Sequence, residues 1–531
     1  FQRRTIMNSK DGTKLFYESY DSKALERLRS YFGHVVKGND IDYRTPFYDG
    51  KPREEILNAW EKILEPKLQG MAELLDFEND LRAKVGPLSI MKPLSERMSD
   101  IDAYYDLIHL DSEPLLPEAI DMLCREWGKQ IGGLRLRSQP RTWDAMKKST
   151  SSGSPFFTKR RDVYDQTIPC SVNAESNIQD LAVRIFQMCA TLGWRGQEGG
   201  MSDDEVLTKQ RVIWMFPAAA NVCELQCYQP LIEGCQHFNL VPAWNGNDYV
   251  DEAVTHLFDT KGKDDVIICT DFEKFDQHFN AHMQQCASQI LSYLFTGLDG
   301  WLNSTFRVKY EIPLAYNFGE CRTGSHGMAS GSGGTNADET LSHRCLQLEA
   351  AITSRAELNR YSMCLGDDGI LTYPGADVDH VIRTYTKHGQ EMNESKQDVS
   401  KTEATYLRRW YGIDYRIDGI CRGVYSTYRA LGKLMGQERF YDPKKWGPEM
   451  VALRYLSIIE NCKWHPAREE FLDFCIKGDK YRLGIDLPGF LDNLEKLKNS
   501  NEIAEDFMSY SSQHNEAGIN DWWVVKALKE R

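Results

Sequence analysis

Long apolar runs are missing from this 531-residue sequence: none approaches the ~18 residues that a membrane-spanning helix needs. Its first residues, Phe1-Gln2-Arg3-Arg4-Thr5-Ile6, lack the apolar stretch of a secretory leader, so secretion is not expected. No Cys-x-x-Cys pair occurs among fourteen cysteines scattered from Cys124 to Cys475, which argues against a zinc ribbon or a compact disulfide framework and fits reduced thiols. Internal repeats and low-complexity tracts are absent, and glycine and proline are spread rather than massed, which excludes solenoids and long flexible linkers. Positive charge is in deficit as well. The 64 Lys and Arg against 78 Asp and Glu leave a net charge of −14, which taken alone argues against a polyanionic partner.

What is present is globular: 41% hydrophobic, 27% charged and 11% aromatic residues, in a chain too long for one core, so about three subdomains are expected. The charge is uneven. From Arg135 to Arg161 eight basic residues (Arg135, Arg137, Arg141, Lys147, Lys148, Lys159, Arg160, Arg161) stand against Asp144 alone, around a Ser- and Gly-rich stretch that suits neither helix nor strand. Apolar positions recurring at three and four predict helices over Glu54–Leu64, Leu115–Trp127 and Pro448–Ile459. Residues 264–272 predict a buried strand ending at Asp271. Residues 361–373 predict a hairpin with arms Met363–Leu365 and Ile370–Tyr373 and a turn from Gly366 to Gly369. After Ser330-Gly331-Ser332-Gly333-Gly334, a helix presents Ala337, Leu341, Cys345, Leu348 and Ile352 on one face, with Thr335 and Asp338 as a capping box.

Asp271, Asp367 and Asp368 fall at strand ends and turns. Adjacent aspartates repel, so a fold that gathers three of them has use for hard cations that also take phosphate oxygens; two such ions can activate a hydroxyl and stabilise a leaving phosphate. A Gly-Asp-Asp turn by itself is a weak signal, and its weight comes from order and company.

That company resembles the viral RNA-dependent RNA polymerases. Asp271-Phe272-Glu273-Lys274-Phe275-Asp276, then Ser330-Gly331 with Thr335, then Gly366-Asp367-Asp368 are similar to motifs A, B and C of that family, in order. Ser149 to Asp162 resembles the template-guiding motif G loop, Lys209-Gln210-Arg211 the basic motif F, Gly389 to Lys396 motif D, and Tyr406-Leu407-Arg408-Arg409 motif E. These seven signatures run from residue 149 to 411, about half the chain. The closest likeness is to small double-stranded RNA viruses of picobirnavirus type, with partitivirus type next.

The resemblance implies an α+β cupped right hand with an N-terminal extension (1–45), fingers (46–218 and 295–322), a palm of antiparallel sheet and helices (219–294 and 323–412), and a helical thumb with a C-terminal segment (413–531). It implies RNA-templated RNA synthesis that replicates and transcribes a viral RNA genome. Asp271, Asp367 and Asp368 would bind two Mg²⁺ or Mn²⁺ ions, and Lys396, with a lowered pKa, would be the general acid. Lys209, Arg211, Asp276, Ser330, Thr335 and Asn336 would bind the nucleotide, and Ser151, Ser152, Gly153, Lys159, Arg160, Gly331, Arg408 and Arg409 the RNA. Either arginine of motif E could instead be a buried ion-pair partner. Expected partners are template and nascent RNA, nucleoside triphosphates and a viral capsid protein, with no membrane; the expected location is the virion interior and host cytoplasm.

One departure stands out. Many relatives carry Asn four residues after the motif B threonine, where this chain has Glu339. Asn336 follows Thr335 directly, and the sequence favours it as the partner of Asp276 in reading the ribose. A reverse transcriptase would place a bulky aromatic where Asp276 stands, and a non-catalytic RNA-binding, capsid-associated protein would not need all three aspartates. His278 and His282 have the spacing of helical zinc ligands without an evident third. Trp522 and Trp523 read either as a docked terminal helix or as an aromatic platform for an initiating nucleotide.

Overall fold

The computed structural model describes residues 20–197, 209–500 and 518–531. Helix α1 (Arg53–Lys67) buries Ile56, Leu57, Trp60 and Leu64, one apolar stripe at spacings of one, three and four. That stripe packs not on the fingers but into a core shared with Val424 to Leu528, where the Trp60 indole donates to Thr427 Oγ1 at 2.8 Å. The expected fingers boundary at residue 46 is therefore corrected: residues 47–85 belong with the helices assigned to the thumb. Emptying the Trp60 site would cost about 3–5 kcal/mol.

The core of the segment expected as fingers forms from helix α2 (Leu94–Asp106) and a four-stranded sheet. Strands β1 (Ala190–Gln197) and β2 (Lys209–Met215) make a long antiparallel ribbon; β1 also pairs in parallel with β3 (Leu314–Asn317), which pairs with β4 (Glu320–Arg322). The helix Ser22–Lys37, within the expected N-terminal extension, docks Leu28, Phe32 and Val35 on this core.

The segment expected as palm centres on a second four-stranded sheet, antiparallel throughout. Strand β5 (Ile267–Thr270) is buried at every position, as its apolar run predicts, and lies between β7 (Asp368–Leu371) and β8 (Asp398–Ser400), with β6 (Met363–Leu365) outside β7. The hairpin turn is tighter than expected: Leu365 pairs with Asp368, leaving Gly366 and Asp367 alone at the tip. Ile268 and Leu371 turn one face of the sheet to a core built with α3 (Pro117–Ile131), α4 (Ala218–His237), α6 (Ala281–Leu294), α7 (Thr335–Thr353) and α8 (Val378–Thr386), while Ile267, Cys269 and Ile370 on the other face pack on α5 (Asn247–Thr260).

Helix α7 is buried nearly all round, not on one face, and its polar side chains are paired accordingly. His343 Nδ1 meets Gly366 O at 2.8 Å, and Gln347 Nε2 donates to Met363 O at 2.8 Å, so the helix grips the Gly-Asp-Asp hairpin from behind. The expected capping box does not form. Gly334 is the N-cap, Thr335 Oγ1 donates to Ala329 O, and Asp338 turns inward to the Tyr228 and Tyr310 hydroxyls (2.6 and 2.7 Å) and Lys309 Nζ (3.0 Å).

Beside this sheet, β9 (Glu403–Tyr406) and β10 (Arg409–Gly412) form a hairpin with Val424–Tyr425 as its third strand. Its two-residue turn, Leu407 (φ 52°) and Arg408 (φ 65°), is left-handed at both positions, which matches the strand twist. Helices α9 (Thr427–Met435), α10 (Pro448–Glu460) and α11 (Arg468–Gly478) build the terminal core, and α12 (Trp523–Lys529) docks on it. Trp522 is buried there, and the Trp523 and Val524 amides donate to the Glu460 carboxylate (3.1 and 3.0 Å), so a docked helix is what the two tryptophans build.

Candidate active site

Three segments deliver the acids. Asp271 follows the last residue of β5, Asp367 sits at the β6–β7 tip, and Asp368 opens β7. Because Gly369 pairs with Thr270, the next step of the same register sets Asp368 across from Asp271. Only glycine suits position 369: a Cβ there would lie 2.6 Å from His343 Nε2 and 2.8 Å from Thr270 Oγ1. The backbone of Asp271 is bracketed by one side chain, since its N–H donates to Gln397 Oε1 (2.8 Å) and its carbonyl accepts from Gln397 Nε2 (2.9 Å).

The electrostatics are strained in one direction. Burial pushes the Asp368 carboxyl up to about 7 and Asp367 pushes the same way; the Leu407 amide (2.8 Å) and Arg408 pull it back. Asp367 reaches the cleft with protein crowding its other sides, and its pKa is raised first by lost solvation, then by Asp276, with Arg211 opposing. Glu339, buried on α7, is raised well above the usual carboxylate range by burial and by its hydrogen-bonded neighbour Asp276, with Asp367 adding to this and Arg211 opposing. Five acids thus share one cleft with Arg211 of β2. Among the described residues no three His, Cys, Asp or Glu side chains already stand close enough to share one ion. The donor chemistry nonetheless suits a hard divalent cation, since Asp271, Asp367 and Asp368 offer oxygens only and mutual repulsion is what a cation relieves.

The nucleotide-site expectations divide. Arg211 and Asp276 face the acids, as the shared electrostatics show. The Lys209 side chain lies outside the described residues. Asn336 does not join Asp276: its Oδ1 accepts from the Trp244 indole at 2.9 Å, and it is Glu339, one turn further along α7, that meets Asp276. The preference for Asn336 is corrected on these contacts: positions 336 and 339 lie ~60° apart on α7 and both flank Gly366, but Asn336 is engaged by Trp244 and Glu339 by Asp276. Ser330 Oγ donates to Val212 O at 3.1 Å, joining the motif B loop to the motif F strand. Gly331 holds φ 105° with Trp214 O 2.0 Å from a would-be Cβ, so backbone runs against backbone there.

Three RNA-contact expectations are overturned. Ser152 is buried; its Oγ accepts from Thr158 N (3.1 Å) and its carbonyl from Ala218 N (2.8 Å), so it shapes the loop from within. Arg160 turns inward, donating to Lys147 O at 3.2 Å, and burial lowers its pKa. Arg409 is buried with Nη2 at 2.9 and 3.1 Å from the two oxygens of Asp251, which also accepts the Tyr411 hydroxyl (2.8 Å). It is the structural ion-pair partner, while Arg408 stays exposed at the turn. Ser151 and Lys159 are exposed and bridge each other's backbone, and Gly153 (φ 62°) packs against Phe216 O, which sets the loop beside the end of β2.

Lys396 also departs from expectation. It is exposed, its Nζ lies 3.1 Å from Glu273 Oε1, and that acid raises its pKa instead of lowering it. His278 is buried with Nδ1 at 3.0 and 2.9 Å from the Glu273 and Lys274 carbonyls. Sequence reasoning missed Gln397, Asp251 and Glu224. Nothing local marks them, because each acts on a residue more than a hundred positions away.

Comparisons with known proteins place the chain in a family. A family model described as viral RNA-dependent RNA polymerase matches residues 137–417. A protein of human picobirnavirus named "Potential RNA-dependent RNA polymerase" is 54% identical over 518 residues, covering 95% of this chain and 96% of its own length. Crystal structures of the RNA-dependent RNA polymerase of a human picobirnavirus, one intact and one an insertion-loop deletion mutant, superpose with TM-scores of 0.92 at 53% and 52% identity; both cover 98% of this chain and are themselves covered completely. The chain belongs to the viral RNA-dependent RNA polymerases, and among them it is similar to those of picobirnaviruses.

Proposed function

We propose that this polymerase extends RNA by in-line attack of a 3′-hydroxyl on the α-phosphorus of a templated ribonucleoside triphosphate, with pyrophosphate leaving. The observation that carries the reading is the β5–β7 register, which sets Asp368 across from Asp271 and presents Asp367 at the tip, facing Arg211. Asp271, Asp367 and Asp368 would hold two Mg²⁺ or Mn²⁺ ions, which when bound would lower the pKa of the attacking hydroxyl and neutralise developing phosphate charge. Arg211 balances triphosphate charge from the fingers side, so catalysis is mostly positioning and preorganised electrostatics. Asp276 with Glu339 reads the ribose: a site built to bond a 2′-hydroxyl rejects the analogue without one. Template passes the Ser149–Pro155 loop, and genome replication and transcription, with a capsid protein as a further partner inside the virion or host cytoplasm, complete the proposed setting.

Asp367→Asn tests this. Templated incorporation of ribonucleotides should fall by roughly 10³-fold or more while the melting temperature holds or rises, since an uncompensated carboxylate is removed. Retained polymerisation would overturn the assignment, and equal use of deoxyribonucleotides by the wild type would instead favour a reverse transcriptase.

A further inference from the structure

Helix α4 passes beneath the loop Ser330–Gly334 and commits one carboxylate to it. Glu224 is fully buried; one oxygen accepts from the Ser332 hydroxyl and the other from Gly333 N at 3.2 Å. Ser332 Oγ in turn accepts from Gly334 N at 3.0 Å, so a single acid fixes three consecutive residues. The same helix closes the space over them, since a Cβ on Gly333 would lie 2.9 Å from Leu225 and one on Gly334 2.3 Å from the Tyr228 ring. From the other side, Trp214 N donates to Ser330 O at 2.8 Å and Ser330 Oγ to Val212 O. The loop is therefore clasped between α4 and the strand that carries Arg211.

A buried carboxylate is a costly way to fill space. Lys309, whose charge also reaches Glu224, is paired with Asp338 at 3.0 Å, and Glu224 is raised to about 7 by burial, with Lys309, Ser332 and Gly333 pulling back. A leucine would pack there without that cost. What the acid adds is two acceptors at the correct places on the loop.

We propose that Glu224 is a positioning residue for nucleotide addition, holding the Ser330–Gly334 loop in the one conformation that borders the incoming nucleotide and its template partner; this rests on the polymerase reading of the palm. Primed single-nucleotide addition tests it in Glu224→Gln, Glu224→Leu, Ser332→Ala and the Glu224→Leu/Ser332→Ala double variant, with melting temperature and RNA affinity measured alongside. Glu224→Leu should lose about tenfold in kcat/KM for the templated nucleotide, mostly through KM, the worth of one charge-assisted hydrogen bond. Glu224→Gln, which keeps one acceptor, should recover most of that loss, and RNA affinity should hold. The double variant should be no worse than Glu224→Leu, because both changes break one clasp. If Glu224→Leu fails to fold, Ser332→Ala must still raise KM and Glu224→Gln must add nothing to it. Unchanged KM in folded variants, or fully additive losses, would overturn the proposal. Wild type and Asp367→Asn run in parallel separate the two claims: a wild type that adds no templated nucleotide refutes the polymerase reading, and variants that match an active wild type refute the role of Glu224.

Discussion

Asp251 and Asp368 are acids withdrawn from bulk water, held by the same β9–β10 hairpin, and they are compensated in opposite ways. Asp251 receives Arg409, the Tyr411 hydroxyl and the Gly423 amide, so its charge is balanced inside the chain. Asp368 receives the Leu407 amide two residues earlier in that hairpin, yet Asp367 and Asp271 press on it from the cleft. The same division runs through the molecule. Asp338 has Lys309 and two tyrosines; Glu349 has His388, the Leu116 amide and Lys387, which together outweigh burial and hold it below the usual carboxylate range. Acids satisfied by the protein hold the architecture. The acids of the cleft are instead left at odds with one another, which is the condition a bound cation relieves.

The largest expected effect on this contrast is that of Asp367→Asn, which should cost activity and not stability. Arg409→Met should do the reverse. It strands Asp251 in the interior, and urea unfolding should show a loss of about 3–5 kcal/mol, much of it regained in Asp251→Asn/Arg409→Met. Arg408→Ala, one position away but exposed, should change stability by less than about 1 kcal/mol. Next in size is the sugar site. Glu339→Ala should reduce discrimination between UTP and dUTP about tenfold, and Asn336→Ala should leave it unchanged; the opposite pattern would return the ribose role to Asn336.

Smallest is a pH effect at Glu460, a buried acid raised to about 7 by burial although the Val524 and Trp523 amides and Lys463 oppose this. The folded chain holds that proton over a range where the unfolded chain has lost it. This contribution is therefore complete below ~4.3, the unfolded value, and lost as pH rises through about 7. Melting temperatures read from pH 5 to 8 should decline by a few degrees less in Glu460→Gln than in the wild type. A steeper decline in the variant would show the sign to be wrong.

The parts of this contrast visible in the sequence are those with short-range signatures. The apolar run ending at Asp271, the Gly-Asp-Asp hairpin and the helix from Pro448 each carry their own periodicity or turn residues. Pairing partners do not. Arg409 and Asp251 are 158 positions apart, and no pattern in either segment distinguishes a grip on RNA from a buried bridge. Thr335 and Asp338 have the spacing of a cap, but Lys309 offers Asp338 a stronger partner than a helix amide can. Residues 47–85 read as fingers because they precede the fingers in the chain, while their apolar stripe finds its match at the far end of it.

Gln397 gives the fold a mechanical property beyond its charges. One amide clamps both backbone poles of Asp271, and its Nε2 also reaches the Asn393 carbonyl at 2.9 Å. The turn from Asn393 to Gln397 and Asp271 are thereby geared together. A swing of that turn would pull on the backbone of Asp271, which couples this edge of the sheet to the acid cluster.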